Sequence, residues 1–357
     1  MFLSYLKLIN FRNYKYLEVN FNKGINYILG ENAKGKTNLV EAIYFLSIAR
    51  SFKTNNIKEL FKKNSDDFFV KGIFNSNSDS NNELEIYANS KGKRITLNNK
   101  KIAKTSELSR YISALVFTPN DTFLLKDSPK DRRYFMNLNI SKLYKNYPYY
   151  LNNYEKLLKE RNSILKEENI DYSLLNVVTN ELIDTSKEIY SYRNKFFEQI
   201  NDKINSIYKE LDENNNKISV KYESFISDLD NYKNLANKIY KDSLKEDILK
   251  KVTTKGIHKE DFSIYLNEKD IGIYGSQGEN RLINLSLILT PYFINNEFNI
   301  KPIVILDDVL SELDMHHESK LINFLNNLEQ VFITGTKENN LLKNNVYYVD
   351  NDDVYRR

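Results

Sequence analysis

Eight consecutive residues, Gly30-Glu31-Asn32-Ala33-Lys34-Gly35-Lys36-Thr37, have the spacing of a loop whose backbone N–H groups wrap phosphates. In that pattern the Lys36 ammonium reaches the β and γ phosphates, and the Thr37 hydroxyl holds Mg²⁺. A second group of residues could complete the chemistry. Ile303-Val304-Ile305-Leu306 is an apolar run that ends in two carboxylates, Asp307 and Asp308. An apolar strand inside a parallel sheet presents such a pair at its carboxyl edge, where ligands bind. There Asp307 could hold Mg²⁺ together with Thr37, and Asp308 could orient an attacking water. Tyr274-Gly275-Ser276-Gln277-Gly278-Glu279-Asn280-Arg281 precedes an apolar helix at Leu282–Leu289 and offers further N–H groups and a hydroxyl at a helix N-terminus. A chain with one phosphate loop needs a second anion site only if that turn caps the nucleotide of a partner subunit.

The flanking elements fit these roles. Ile25–Leu29 reads as a short strand entering the loop. Lys36–Ile48 reads as a helix leaving it, with apolar residues at Leu39, Val40, Ile43, Tyr44 and Leu46. Loop amides and helix dipole then both favour phosphate. Leu3–Leu8, Leu17–Phe21, Phe68–Phe74, Glu83–Ala88 and Arg94–Leu97 are strand candidates separated by polar turns. Between Lys130 and Leu249 glycine disappears and Pro148 is the one proline, while Leu, Ile and Tyr recur at helical spacing, as in Tyr154, Leu157, Leu158, Ile164 and Leu165. Strand character returns at Asp261–Leu266 and Ile303–Leu306. The expected fold is α/β: a P-loop ATPase head split between residues 1–125 and 255–357, with a mainly helical second lobe inserted at 126–254.

Composition narrows the function. At 357 residues and 41% hydrophobic content the chain can bury more than one core. With no Cys, disulfides, thiolate zinc sites and cysteine nucleophiles are excluded. The three histidines, His258 and the adjacent His316 and His317, do not form a metal-binding pattern. No apolar run is long enough to cross a bilayer, and Met1-Phe2-Leu3-Ser4-Tyr5-Leu6-Lys7 lacks the layout of a signal peptide. A cytoplasmic protein with no membrane partner is expected. A net charge of +4 admits nucleic acid as a partner without requiring it. The basic concentrations are Lys100, Lys101 and Lys104, and Lys126, Lys130, Arg132 and Arg133. By charge alone, Lys100, Lys101, Arg132 and Arg133 are candidate DNA contacts. No major-groove reading motif is present, so sequence-specific recognition is not expected.

Together these segments resemble the ABC-type ATPases of the SMC branch, and most closely the RecF family. The resemblance is carried by Asn10-Phe11-Arg12-Asn13-Tyr14, by the phosphate loop with Thr37-Asn38-Leu39-Val40-Glu41-Ala42-Ile43-Tyr44, and by Ala49-Arg50-Ser51-Phe52-Lys53-Thr54. It continues through Val116-Phe117-Thr118-Pro119, Ser128-Pro129 with Arg132-Arg133, Glu160-Arg161-Asn162 and Gly256-Ile257-His258-Lys259-Glu260-Asp261. Gly275-Ser276-Gln277-Gly278 and Leu306-Asp307-Asp308-Val309-Leu310-Ser311-Glu312-Leu313-Asp314 complete it. The resemblance implies an ABC-type head with ATP and Mg²⁺ as cofactors, and catalysis by Lys36, Asp307 and Asp308. It implies that Arg12 and Asn13 border the nucleotide. It also implies an ATP-dependent, head-to-tail homodimer in which Ser276 and Gly278 of one subunit cover the nucleotide of the other, with Asp314 near the seam. Slow hydrolysis would then switch a clamp on single-stranded and gapped or junction duplex DNA. RecO and RecR would be its mediators, helping RecA replace single-stranded DNA-binding protein. The competing readings are another SMC-like ATPase in a different DNA transaction, a transporter energy subunit, and a scaffold that binds ATP without hydrolysing it.

Several positions depart from the family pattern. Asp308 stands where many ABC ATPases carry Glu, and its carboxylate would sit about one ångström further from the water, enough to slow the reaction. Glu279 replaces Gln and must turn away from phosphate or pair with a cation such as Arg281. Lys259 replaces an Arg and loses its bidentate fork. Thr334-Gly335-Thr336 contains no switch histidine, which leaves a threonine or the backbone as γ-phosphate sensor. His316 and His317 lie where arginines are expected.

Overall fold

The computed structural model describes residues 2–75, 81–119, 128–214, 216–295 and 297–356. In chain order the elements begin with β1 (Phe2–Phe11), β2 (Tyr14–Asn20), β3 (Gly24–Leu29), α1 (Lys36–Ile48), β4 (Asp67–Asn75), β5 (Asn81–Asn89), β6 (Gly92–Leu97), β7 (Lys100–Lys101) and β8 (Ala114–Phe117). Next come α2 (Pro129–Leu143), α3 (Tyr147–Ile164), α4 (Tyr172–Leu211), β9 (Ile218–Glu223), α5 (Tyr232–Lys250), β10 (Asp261–Leu266), β11 (Lys269–Asp270) and α6 (Ile271–Tyr274). The last elements are α7 (Gln277–Leu289), β12 (Ile303–Leu306), α8 (Met315–Leu325), β13 (Gln330–Gly335), β14 (Val346–Asp350) and β15 (Asp353–Arg356). No helix among the described residues is long and apolar enough to cross a membrane.

The chain folds as two compact units. The first comprises Met1–Thr122, Ser206–Asn215 and Gln277–Arg357, and the second Phe123–Asn205 and Asn216–Ser276. In the first unit, alternation of buried and half-buried residues along β4 marks a sheet with one face inward. This antiparallel sheet has the order β2-β1-β4-β5-β6-β7. A second sheet, β15-β14-β3-β13-β12-β8, is parallel from β14 to β8 and carries β15 antiparallel at its edge. Helix α1 packs against β1, β4 and β5 of the first sheet and against β8 and β13 of the second. Leu39, Val40, Ala42, Ile43, Phe45 and Leu46 are therefore all fully buried, as befits a helix apolar around its whole circumference. Each large side chain among them contributes roughly 1.5–3 kcal/mol relative to exposure. The approach is close enough that a Cβ at Gly72 would stand 2.6 Å from Leu46 Cδ1.

The second unit joins α2, α3, α5, α6 and most of α4 to the small sheet β11-β10-β9. Here the structure moves an expected boundary. Residues 255–276, expected in the head, belong to this unit, because β10 pairs along its whole length with β9, from Asp261↔Glu223 to Leu266↔Ile218. The partner strand lies inside the stretch that reads as helical, so the pairing has no local signature. The expected boundary at 125/126 lies outside the described residues, as does Lys126. The end of the lobe's longest helix, from Ser206, belongs to the first unit.

Buried ion pairs hold the second unit. Arg161 meets Asp247 at 2.8 Å, with the two side chains 1% and 0% exposed, and also bonds the hydroxyls of Thr179 and Thr253. Arg193 meets Glu260 at 2.6 Å and the Ile257 carbonyl at 2.8 Å. Arg132 grips Asp261 with two hydrogen bonds of 2.9 and 2.6 Å, and Arg133 donates to the Glu260 carbonyl. Arg132 and Arg133, offered as DNA contacts by charge, are thus engaged within their own unit. The motif runs Glu160-Arg161-Asn162 and Gly256–Asp261 are joined through Thr253, whose N–H and hydroxyl donate to Asn162 and whose carbonyl meets His258. His258 is held neutral between the Tyr154 hydroxyl at Nδ1 (2.8 Å) and the Thr253 carbonyl at Nε2 (3.0 Å), and burial lowers its pKa to about 4.

Two outcomes are expected. Arg161→Met leaves Asp247 buried without its guanidinium and should cost about 3–5 kcal/mol, read from the urea midpoint. Below the ordinary histidine pKa of 6.5 the unfolded chain protonates His258 while the folded one resists until about pH 4. Stability should therefore fall as pH drops through that window, by on the order of 1–3 kcal/mol. His258→Gln should flatten this part of the melting-temperature profile.

Candidate nucleotide-binding site

The phosphate loop connects the end of β3 to the start of α1, and its conformation follows from its residue types. A Cβ at Gly30 would lie 2.5 Å from the Val349 carbonyl oxygen, so only glycine lets β14 pass so close. Gly35 caps α1 with φ 110°, and a side chain there would strike the Asn13 amide. Between them Ala33 adopts a left-handed φ of 63°. The chain thereby curls around the Lys36 ammonium, which donates to the Gly30 and Glu31 carbonyls at 2.7 and 2.8 Å. Burial lowers the Lys36 pKa, while Asp308 and Asp307 pull it upward.

The expected acidic pair closes the site from β12. β13 lies between β3 and β12, all three run parallel, and their carboxyl ends share one edge. Asp307, 6% exposed, accepts from the Thr37 hydroxyl at 3.0 Å and from the Thr334 hydroxyl at 2.8 Å. Burial raises its pKa, and the Thr334 and Thr37 hydrogen bonds oppose the rise. A hydroxyl and a carboxylate meeting at this distance form the oxygen donor set that suits Mg²⁺. Asp308 takes a left-handed φ of 52°, and its N–H donates to the Thr334 hydroxyl at 2.9 Å. That backbone turn, which Asp and Asn tolerate better than other side-chain-bearing residues, directs the second carboxylate away from the strand's alternation.

Other candidates have more specific surroundings than their sequence suggested. Arg12 forks onto the buried carboxylate of Glu41 with bonds of 2.8 and 2.7 Å and reaches the Glu59 carbonyl at 2.7 Å. It anchors the β1–β2 turn to α1. Asn13 lies beside Gly35, accepting from Asn38 (2.8 Å) and donating to the Asn351 carbonyl (2.5 Å). Lys34 points to Asp350 at 2.9 Å. Ser276 belongs to the second unit, whereas Gly278 lies in the first, in the opening turn of α7. Arg281 pairs with Glu312, through both its carboxylate and its carbonyl. Asp314 caps α8, accepting from the His316 and His317 N–H groups at 3.0 Å each and from the His317 ring.

Three features carry no clear signal in the sequence. Thr334, a potential phosphate sensor by position, braces both aspartates instead. A Cβ at Gly335 would overlap the Tyr27 hydroxyl, which explains why no histidine can stand there. Lys53 sends its ammonium to Asn38 at 3.1 Å; desolvation lowers its pKa while Glu41 and Asp307 raise it, which places a further cation beside the acidic pair. Its only advance signal is the run Arg50-Ser51-Phe52-Lys53-Thr54.

Strand, glycine loop and helix, with an acidic pair ending the next strand but one, define a P-loop ATPase head of ABC type. Residues 2–351 match the family model of the RecF/RecN/SMC N terminal domain. The chain is 37% identical to the DNA replication and repair protein RecF of Clostridioides difficile, covering 94% of this chain and 92% of that one. It is also 37% identical to that of Clostridium perfringens, over 100% and 98%. A solved RecF bound to ATP, described as the recombination mediator of the RecFOR pathway, superposes with TM-score 0.91 at 31% identity over 99% of this chain and 97% of that one. The Smc head domain of Pyrococcus furiosus, at 16% identity and TM-score 0.57, shares the fold. The chain belongs to the RecF family, as its motifs led us to expect.

Thr334→Val removes a hydrogen bond from buried Asp307 and strands the Asp308 N–H. A loss of about 1.5–3 kcal/mol at this charged site should lower ATP turnover roughly 10- to 100-fold. ATP affinity, carried by the loop, should stay near wild type in a filter-binding assay.

Proposed function

We propose that the chain is an ATP-gated DNA-binding mediator of RecF type, built as a split head with an inserted lobe and acting in the cytoplasm. The observation that carries this reading is the meeting of Lys36, Thr37, Asp307 and Thr334 on a fold that superposes on a RecF–ATP complex. Gly30 to Thr37 would wrap the phosphates of ATP, with Lys36 exchanging its two carbonyl partners for β and γ oxygens. Thr37 and Asp307 would hold Mg²⁺, which screens charge on the transferring phosphoryl group. Asp308 would orient the water that attacks the γ-phosphorus, and its short side chain suits a slow switch better than a rapid motor.

Dimerisation would complete the site. A Cβ at Gly278 would meet nothing within 4 Å, so packing in its own subunit does not require glycine there. The small residue would leave the α7 N-terminus open to another subunit's γ-phosphate, with Ser276 beside it in the motif. ATP would then stabilise the homodimer by linkage, and hydrolysis would release it. The DNA would be single-stranded, gapped or junction duplex, with RecO and RecR as mediators and RecA as the beneficiary.

The test is affinity for a gapped duplex, with and without ATP, at fixed moderate salt. Tight binding with ATP alone is expected, and Ser276→Arg should abolish the ATP effect and the ATP-induced dimer while sparing ATP binding. Equal affinity in both states would overturn the gate and favour a different SMC-like role.

A further inference from the structure

Residues 89–104 carry six cations, Lys91, Lys93, Arg94, Lys100, Lys101 and Lys104, and no carboxylate, while the whole chain has an excess of only four. The fold gathers them at one place. Gly92–Leu97 and Lys100–Lys101 are the last two strands of the antiparallel sheet, paired Thr96↔Lys101 and Leu97↔Lys100. The Ile102 N–H then donates to the Ile95 carbonyl, so the chain runs on beside β6 toward Lys104. Arg94 and Lys101 share one face as diagonal neighbours, roughly 7–8 Å apart by strand geometry. All six residues are exposed, and among the described residues Lys91, Arg94, Lys100, Lys101 and Lys104 form no ion pair. Lys93 turns inward, over the Phe45 ring and onto the Ala49 carbonyl. Burial lowers its pKa, and the like charge of exposed Arg50 adds to the fall, which places a further cation nearby.

Lysines on an edge strand commonly do no more than block edge-to-edge pairing. The rest of this sheet shows what that looks like. At its opposite edge, on β2, Glu18 pairs with Lys7 of the neighbouring strand at 2.9 Å. On the strands between, Lys71 meets Glu83 and Glu85 at 2.7 and 3.3 Å. β6 and β7 carry no carboxylate of their own; the one that reaches them, Glu85 of β5, accepts from the Thr96 hydroxyl and is already matched by Lys71. Blocking requires one or two charges, whereas an uninterrupted series along a strand of about 20 Å matches a linear polyanion.

We propose that this edge, through Lys91, Arg94, Lys100, Lys101 and Lys104, grips the sugar–phosphate backbone of DNA. The inference rests on the DNA-binding reading above and assigns its location. It also separates the four sequence candidates: Lys100 and Lys101 remain available, while Arg132 and Arg133 are held by Asp261 and Glu260. Flexible cations on an open edge contact phosphates without reading bases, so binding here is independent of sequence.

The triple variant Arg94→Ala/Lys100→Ala/Lys101→Ala tests this on a gapped duplex with ATP, titrated over a range of salt. The slope of log affinity against log salt should flatten by about 2–3, near 0.9 for each phosphate no longer neutralised, with affinity at low salt falling roughly 10- to 100-fold. ATP binding and the melting temperature should be unchanged, and Lys15→Ala should behave as wild type. A triple variant with wild-type slope and affinity overturns the proposal and leaves the edge to an acidic protein surface. If wild-type protein binds no DNA, the functional reading fails, and this assignment with it.

Discussion

A carboxylate buried between two threonine hydroxyls is the interaction on which the head depends. Asp307 is too enclosed to be solvated, and Thr37 and Thr334 supply the hydrogen bonds that water would otherwise give. Those donors come from α1 and β13, so three separate parts of the chain must arrive at one sheet edge in register. The Asp308 N–H uses the same Thr334 hydroxyl, which ties the left-handed turn after β12 to the neighbouring strand. One hydroxyl oxygen thus sets the direction of both acids.

The second constraint is the burial of α1 between two sheets. Its N-terminus must sit where phosphates bind, yet its body has almost no solvent-facing side. Glu41 is a fully buried carboxylate in its middle, answered by the Arg12 fork and the Ser51 hydroxyl. Arg12 is therefore understood through the helix it secures. Truncating it would leave an uncompensated charge in the middle of the core.

Much of this is legible in the sequence because its signals are local. Gly30–Thr37 and Ile303–Asp308 are continuous runs whose residue types already contain their geometry, and α1 and β12 lie where those runs place them. The lobe boundary is not legible, since Asp261–Leu266 pairs with a strand some forty residues earlier that sits among lysines and asparagines. Nor can charge alone tell Arg132 from Lys100: the first has a carboxylate brought to it by β10, and the second stands on an edge with none. Thr334 stands out in the sequence for its place after a strand, but its role depends on partners 26 and 27 residues away. Interactions made by pairing distant strands leave no local pattern to read.

Strand β3, which delivers the phosphate loop, has β13 and β14 as its two neighbours in the sheet. On the ribosome the loop and its strand therefore emerge early and must wait, unpaired in their sheet, until β13 has been made at residues 330–335, and the second neighbour, β14, follows by residue 350. The second unit, contiguous but for residues 206–215, can collapse during that interval. Nascent chains consequently pass through a stage in which an apolar strand and helix are made but lack their sheet. The order of synthesis makes nucleotide binding one of the last properties this protein acquires.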